Sequence, residues 1–333
     1  MNLKNLDKRG IEMSRVLVAG KLHDSGLALL QARTDFEVDY IEEISEASME
    51  PYLAEATAVL LRTQPYGQAA IAKSRKLAMV SRHGVGFDAV DVGALNARGI
   101  PLAIVGDVNA QTVAEHAMLL LLSASRRLVR YDAATRPGGD WGFRNSLSAR
   151  EVAGKTLLII GLGRIGRHLS RMARGFDINV IAYDPYMAQT APLGVTVVDN
   201  LEAALATADL VSVHVPGTGK PLIGRRELAL LKPEAVIVNT ARGGSIDEAA
   251  LADVLAAGSI HGAGLDVFVD EPPTIANRLT TCPTAVLTPH SASMTAECAE
   301  RMAVVSAQNV LDFFDGRLKP ELVVNADEIR FSA

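Results

Sequence analysis

The stretch "TLLIIGLGRIGRHLSRMARGF", residues 156–176, decides the fold. It places Gly161, Gly163 and Gly166 in the pattern G-x-G-x-x-G, directly after an apolar run and at the start of a helical repeat of apolar residues. In that setting the first glycine permits a tight turn and the second lets the backbone approach a pyrophosphate. The third lets the helix pack closely on the strand. The stretch therefore predicts a strand–turn–helix unit that binds a dinucleotide.

Two neighbouring features support the same interpretation. The amides of Arg164 and Ile165 lie at the predicted helix N-terminus, where a phosphate gains hydrogen bonds and a favourable dipole. Asp184 ends the next apolar run, "INVIAYDP", close to the spacing of about 20 residues that such sites show. A carboxylate there accepts from the ribose hydroxyls and repels a 2′-phosphate. These residues favour NAD over NADP.

The rest of the chain repeats the alternation of short apolar runs and helical patterns. One series runs from "RVLVAG" (15–20) to "PLAIV" (101–105), and a second runs from "TLLIIG" (156–161) to "AVLTP" (285–289). A long helix is predicted between them, from about residue 110 to 131. Strands that are apolar on both faces are typical of parallel sheets covered by helices. The chain is therefore predicted to be an α/β protein with two parallel-sheet domains, Rossmann-like or flavodoxin-like.

Composition excludes several classes of protein. The 333 residues are 49% hydrophobic and 21% charged, with a net charge of −5, which is typical of a globular chain without a nucleic-acid footprint. The longest apolar run is too short to span a membrane. The first thirteen residues lack the apolar core of a secretory signal. Cys282 and Cys298 have no metal-binding spacing, so we expect free thiols, no metal site and a cytoplasmic location.

Three polar residues follow strands of the second series. Arg242 follows "AVIVNTA", Glu271 follows "GLDVFVD", and His290 follows "AVLTP". Each alone has an ordinary structural explanation: a surface arginine, an acid in a turn, a histidine that caps a helix. Ligands of parallel sheets gather at the carboxyl ends of strands, so the three together indicate a catalytic site.

With these residues the chain resembles the D-isomer-specific 2-hydroxyacid dehydrogenases, a family that includes phosphoglycerate dehydrogenases and glyoxylate/hydroxypyruvate reductases. The resemblance runs from about residue 15 to 325 through "RHGVGFDAVD", "NAQTVAEH", "GLGRIG", "HVP", "NTARGG", "LDVFVDEP" and "TPH". It implies an NAD-dependent enzyme that transfers hydride between nicotinamide and C2 of a 2-hydroxy or 2-keto acid. His290 would be the acid/base, Glu271 its partner and Arg242 the group that binds substrate.

The resemblance also implies further site residues. A cradle in the first domain would bind the substrate carboxylate through Val85 and Gly86, with help from Arg62. Residues near the cofactor would include Pro216, Thr240, Asp266 and Ser293. Serines at 291 and 293, where many relatives have a different sequence, and a short loop after Pro216 leave the details of cofactor contact open.

The domain organisation follows from the same resemblance. Residues 14–108 plus 296–330 are expected to form a discontinuous substrate domain, and residues 109–295 the NAD-binding domain, with substrate in a cleft between them. The helix near 110–131 is expected to form a homodimer interface. The regulatory domain of some phosphoglycerate dehydrogenases is expected to be absent.

Two other functions stay open. A formate-type dehydrogenase of the same fold would need no proton transfer, but such enzymes have glutamine where Glu271 stands. An NAD-sensing interaction protein, similar to a corepressor, would keep the same three residues. The identity of the 2-hydroxy acid is not readable, although Arg82 and His83 suggest a substrate with a second acidic group.

Overall fold

The computed structural model describes residues 13–43, 45–187, 194–217 and 219–331. The chain divides into two compact units: Met1–Asn109 with Met294–Ala333, and Ala110–Ser293. The predicted boundaries lie after residues 108 and 295, and the assignment of substrate binding to the first unit stays a prediction. The predicted features of residues 1–12 and of the loop position 218 lie outside the described residues.

The first unit is built on a five-stranded parallel sheet with strand order β2-β1-β3-β4-β5, the order of flavodoxin-like folds. The final long helix, α11, returns to this unit, where Gly26 of α1 allows the backbone of α11 to approach. The elements of the unit are β1 Ser14–Ala19, α1 Asp24–Gln31, β2 Phe36–Ile41, α2 Glu46–Leu53, β3 Ala58–Leu61, α3 Gln68–Lys73, β4 Met79–Arg82, α4 Val92–Asn96, β5 Leu102–Ala103, α11 Ala296–Phe314, a 3-10 turn Pro320–Leu322 and α12 Ala326–Ile329.

The second unit is built on a seven-stranded parallel sheet with strand order β12-β11-β10-β9-β6-β7-β8. Six of these strands follow the Rossmann order, and β12 extends the sheet by one strand. The elements are α5 Ala110–Ser125, α6 Leu128–Thr135, β6 Thr156–Ile160, α7 Arg164–Arg174, β7 Asn179–Tyr183, β8 Thr196–Val198, α8 Leu201–Thr207, β9 Leu210–Val213, α9 Arg225–Leu228, β10 Val236–Asn239, α10 Glu248–Ala256, β11 Gly262–Leu265 and β12 Ala285–Leu287, with 3-10 turns at Trp141–Ser146 and Arg278–Thr281.

Alternating side chains of this second sheet fill two apolar cores, one on each face. Leu158 and Ile160 of β6 enter one core, with residues of α8 and α10. Leu157 and Ile159 enter the other, with residues of α5 and α7. Burial on both faces explains why these strands are continuous apolar runs in the sequence. The predicted fold class, two parallel-sheet α/β domains, is confirmed.

Among the described residues, no helix combines the length and apolarity that a membrane crossing requires.

Two details differ from the sequence prediction. The strand β8 was not predicted, because it is three residues long and only partly buried. The predicted helix 110–131 is broken after Ser125, and Arg127 adopts a left-handed backbone with φ 53°. The Ser125 carbonyl accepts from the Arg150 amide (2.8 Å) and from Nε2 of His261 (3.1 Å), so it no longer continues the helical ladder.

The glycine-rich turn depends on two close backbone approaches. Gly161 has φ 94°, and a Cβ there would lie 2.7 Å from the carbonyl oxygen of His214. A Cβ at Gly166 would lie 2.3 Å from the carbonyl oxygen of Gly161, so the first turn of α7 rests directly on the end of β6. By contrast, a Cβ at Gly163 would meet no protein atom within 4 Å.

This contrast predicts the effect of adding one methyl group to the turn. Gly166→Ala should lower the free energy of unfolding by about 1–3 kcal/mol, the usual cost of overpacking. Helix propensity alone would favour alanine by about 1 kcal/mol, so a loss isolates the clash. Gly163→Ala is the control and should change stability by no more than about 1 kcal/mol, the scale of an N-cap change. Thermal unfolding measures both; equal unfolding temperatures for the two variants would contradict the packing argument.

Candidate active site

The predicted site residues of the second unit lie at the carboxyl edge of its sheet. They follow six different strands or the loops after them, although many of the residues are far apart in sequence. Gly161 follows β6, Asp184 follows β7, Pro216 follows β9, Thr240 and Arg242 follow β10, Asp266 and Glu271 follow β11, and His290 follows β12. Because parallel strands end at a common edge, the fold gathers these groups there.

The edge beside β6 has the features that a dinucleotide needs. Gly163 is the N-cap of the eleven-residue helix α7, and the space over its Cα is free of protein atoms. The Asp184 carboxylate accepts from the amides of Leu162 (2.9 Å) and Tyr186 (3.0 Å), which fixes it beside the glycine turn. The Thr240 hydroxyl is buried without a hydrogen-bond partner among the described residues. An open helix N-terminus, a fixed carboxylate and an unsatisfied hydroxyl fit a dinucleotide.

The structure pairs His290 with Glu271. Nδ1 of His290 lies 2.6 Å from Oε2 of Glu271. The other carboxylate oxygen, Oε1, accepts from the Phe268 amide at 3.0 Å, so the carboxylate is held from behind. The imidazole is 56% exposed. It is therefore oriented by Glu271 and open to a ligand through Nε2.

His290 also has an unusual backbone. Its φ is 49°, in the left-handed region, which costs a non-glycine residue about 1–2 kcal/mol. The Asp266 carbonyl accepts from the His290 amide at 2.8 Å. The wholly buried Asp266 carboxylate accepts from the amides of Ser291 (2.8 Å) and Ala292 (2.9 Å). These bonds offset the strain and fix the direction of the histidine side chain.

Arg242 lies on a short loop that its neighbours brace. The Asn239 side chain accepts from the Ala241 amide and donates to the Arg242 carbonyl, and Arg242 itself donates Nη1 to the Ala241 carbonyl at 2.7 Å. A Cβ at Gly243 would lie 1.9 Å from the Phe268 carbonyl oxygen. The loop that carries the guanidinium thus packs, backbone to backbone, on the segment whose amide holds Glu271.

The predicted substrate cradle lies in the first unit. Val85 and Gly86 follow β4, and both are partly buried. Arg62, which follows β3, contacts the Lys21 carbonyl at 3.5 Å and the Met294 sulfur at 3.1 Å. The guanidinium of Arg82 folds over Gly84 and donates to the His83 carbonyl at 2.8 Å.

Two other histidines near these loops are neutral at physiological pH. Burial, followed by the positive charges of Arg62 and Arg82, lowers the pKa of His83 to about 4. Neither of its ring nitrogens makes a well-formed hydrogen bond to a described residue; proximity of the Ala299 backbone offsets the effect of burial only in part. Burial also lowers the pKa of His214 to about 4. Both are poor candidates for proton transfer to a ligand.

Several contributors to the site carry no signal in the sequence. They are the Phe268 amide, the backbone packing of Gly243, and the role of Asp266 in holding the histidine loop. Asp266 was expected to lie near the nicotinamide; that role stays a prediction, whereas its hydrogen bonds go to the loop. Ser293 is partly buried and Pro216 exposed, and their cofactor contacts also stay predictions.

The described residues contain no cluster of three or more histidine, cysteine or acidic groups that could hold a metal ion. Cys282 and Cys298 are free thiols.

Residues 118–292 match the family described as D-isomer specific 2-hydroxyacid dehydrogenase, NAD binding domain. The chain belongs to this family, which confirms the resemblance. The matched region is a nicotinamide-dinucleotide-binding domain, so the predicted class of cofactor is also confirmed.

Sequence matches to individual relatives extend over most of the chain. It is 39% identical over 322 residues to the D-3-phosphoglycerate dehydrogenase of Mycobacterium leprae, a match that covers 95% of this chain and 60% of that protein. The chain thus spans about 60% of the length of that dehydrogenase. It is 35% identical over 320 residues to the glyoxylate reductase of Korarchaeum cryptofilum, with coverage of 93% and 95%.

A solved structure shows the same arrangement of elements. The NADPH-dependent glyoxylate/hydroxypyruvate reductase of Sinorhizobium meliloti, crystallised with citrate, superposes with a TM-score of 0.82 at 29% identity. The match covers 96% of this chain and the whole of that chain.

Proposed function

We propose that the protein is an NAD-dependent D-2-hydroxyacid dehydrogenase that also runs in reverse as a 2-keto acid reductase. The observation that carries this proposal is the 2.6 Å contact between His290 and Glu271, held at the carboxyl edge of a dinucleotide-binding sheet. The family membership and the dehydrogenase and reductase relatives support the same reaction type.

His290 would move the proton in this reaction. Because Nδ1 faces Glu271, Nε2 is the nitrogen available to a substrate oxygen. Nε2 would take the proton of the 2-hydroxyl group in oxidation and return it to the carbonyl oxygen in reduction. The Glu271 carboxylate stabilises the imidazolium and fixes the tautomer, as the acid does in hydrolytic triads. When bound, the nicotinamide exchanges a hydride with C2 of the substrate.

Arg242 would bind the carboxylate of the substrate and polarise the oxygen on C2. A guanidinium offers forked donors that match a carboxylate. The brace from Asn239 fixes the backbone on which the guanidinium is carried. Val85, Gly86 and Arg62 of the first unit are also proposed to bind substrate.

The proposed cofactor is NAD rather than NADP. The Asp184 carboxylate keeps free lone pairs beyond its two backbone bonds, and these would accept from the ribose hydroxyls. A 2′-phosphate in their place would meet a negative charge. The Sinorhizobium relative is NADPH-dependent, so the proposed preference for NAD rests on Asp184 alone.

The proposed substrate class is a 2-hydroxy acid with a second acidic group, either a carboxylate or a phosphate. Arg62 and Arg82 both lie beside the glycine loop of the first unit, and their charges act together on His83. Among the described residues, the Arg62 guanidinium contacts no carboxylate. His83 is neutral, so it adds no repulsion between itself and the two arginines. The two guanidinium charges would then attract a second acidic group of the substrate.

Oxidation of NADH and NADPH, followed by absorbance across a panel of 2-keto acids, tests both choices. We expect NADH to give the higher kcat/KM, and keto acids with a second acidic group to exceed pyruvate. Equal turnover of acidic and neutral substrates would contradict the substrate class. A preference for NADPH would contradict the role of Asp184, and no turnover of any member would contradict the proposed function.

The catalytic pair predicts two different mutational effects. His290→Asn should lower kcat by about 10²–10⁴, the usual contribution of a positioned acid/base. Asparagine tolerates the left-handed backbone, so the loss would not come from added strain. Glu271→Gln should move the pH profile for reduction to lower pH, because an amide stabilises the imidazolium less than a carboxylate. An unchanged profile would argue against the pairing, and the unfolding temperature of each variant controls for folding.

We also propose that two copies associate through the region around α5 and α6. Leu119, Leu128, Val129 and Trp141 are 50–62% exposed in the single chain. Exposed apolar side chains that form one patch mark an interaction surface. A cytoplasmic location stays a prediction.

The assembly has a direct measurement. Light scattering coupled to size exclusion should give the mass of two chains, and Leu119→Glu with Val129→Glu should reduce it to one. A monomeric mass for the unaltered protein would contradict the interface.

A further inference from the structure

The loop from Thr288 to Ala292 carries His290 and is held mainly by hydrogen bonds to Asp266. Oδ1 of Asp266 accepts from the Thr288 hydroxyl at 2.6 Å and from the Ser291 amide at 2.8 Å. Oδ2 accepts from the Ala292 amide at 2.9 Å, and the Asp266 carbonyl accepts from the His290 amide. The loop is thus fixed on both sides of the histidine.

The Thr288 hydroxyl has a second neighbour that sets its direction. Nε2 of His116, from the first half of α5, lies 2.9 Å from the Thr288 hydroxyl oxygen and 3.5 Å from Oδ1 of Asp266. A hydroxyl has one proton, and the short contact to the carboxylate uses it. The hydroxyl oxygen is therefore the acceptor toward His116, and Nε2 of His116 carries a proton.

We infer that His116 is a positioning residue for the acid/base histidine. Its Nε2–H orients the Thr288 hydroxyl toward Asp266. Asp266 in turn holds the loop in which His290 has its left-handed backbone and faces Glu271. His116 is largely buried and does not itself form part of the pair. The chain from His116 Nε2 through the Thr288 hydroxyl to the Asp266 carboxylate is thus a second imidazole–carboxylate connection, behind the first.

The inference has a catalytic consequence, which rests on the proposed function, and a structural consequence, which does not. The catalytic consequence is a loss of kcat when the donor at 116 is removed. The structural consequence is a change in the ring tautomer of His290, which is measurable in the protein without substrate. The two readouts separate a failure of the inference from a failure of the proposed function.

The variants form a matched pair at residue 116. His116→Gln keeps an N–H donor near the position of Nε2, whereas His116→Leu removes the donor and introduces an apolar side chain. We expect His116→Leu to lower kcat for keto acid reduction about 10–100-fold, the effect of a small misplacement of a catalytic group. The KM for NADH should change much less, and His116→Gln should recover most of kcat.

The structural readout is the nitrogen spectrum of ¹⁵N-histidine-labelled protein, with the His290 signals assigned from their loss in His290→Asn. In the unaltered protein, neutral His290 should carry its proton on Nδ1, because Glu271 accepts there. His116→Leu should shift the population toward the Nε2–H form. His116→Gln should not.

A second pair at residue 288 keeps the test decisive if a variant at 116 does not fold. Thr288→Val removes the hydroxyl and should behave as His116→Leu, whereas Thr288→Ser keeps it and should behave as the unaltered protein. An unchanged tautomer and kcat in His116→Leu or Thr288→Val would overturn the inference. Equal losses in His116→Gln and His116→Leu would also overturn it, since they would show that packing, not the donor, matters. If the variants change the His290 tautomer but the unaltered protein turns over no keto acid, the result would support the positioning role and contradict the proposed function.

Discussion

The second unit depends on one constraint: all seven strands of its sheet are parallel and end at the same edge. Every strand then delivers the residue that follows it to a common place, whatever its distance along the chain. The glycine turn after β6 and the histidine after β12 are more than a hundred residues apart, yet they occupy one edge. The covering helices bury the strands on both faces and keep that edge in register.

Within that edge, backbone amides do much of the positioning. The Phe268 amide holds the carboxylate of Glu271, and the Asp266 side chain holds the amides of Ser291 and Ala292. Backbone groups are rigid once the sheet has formed, so they lose little freedom when they orient a side chain. The strained conformation of His290 is therefore stabilised by the sheet to which its neighbours belong.

The parts of the fold that could be predicted are those that local sequence encodes. Runs such as 156–160 are apolar because both faces of the sheet are covered, and the glycine spacing reports a steric requirement of the turn. The break of the long helix at Arg127 could not be predicted, because it depends on bonds from His261 and Arg150 to the Ser125 carbonyl. The left-handed backbone of His290 and the hydrogen bonds of Asp266 likewise depend on partners more than twenty residues away.

The contact between Gly243 and the Phe268 carbonyl leaves no volume for even one additional carbon atom. Residue 243 has no functional group, yet natural variation there should be as restricted as at the residues that touch a ligand. Under the proposed function, a change of substrate would have to come from loops elsewhere, such as those after β3 and β4. The proposed substrate selectivity could then change faster in evolution than the proposed chemistry, because those loops accept substitutions that position 243 does not.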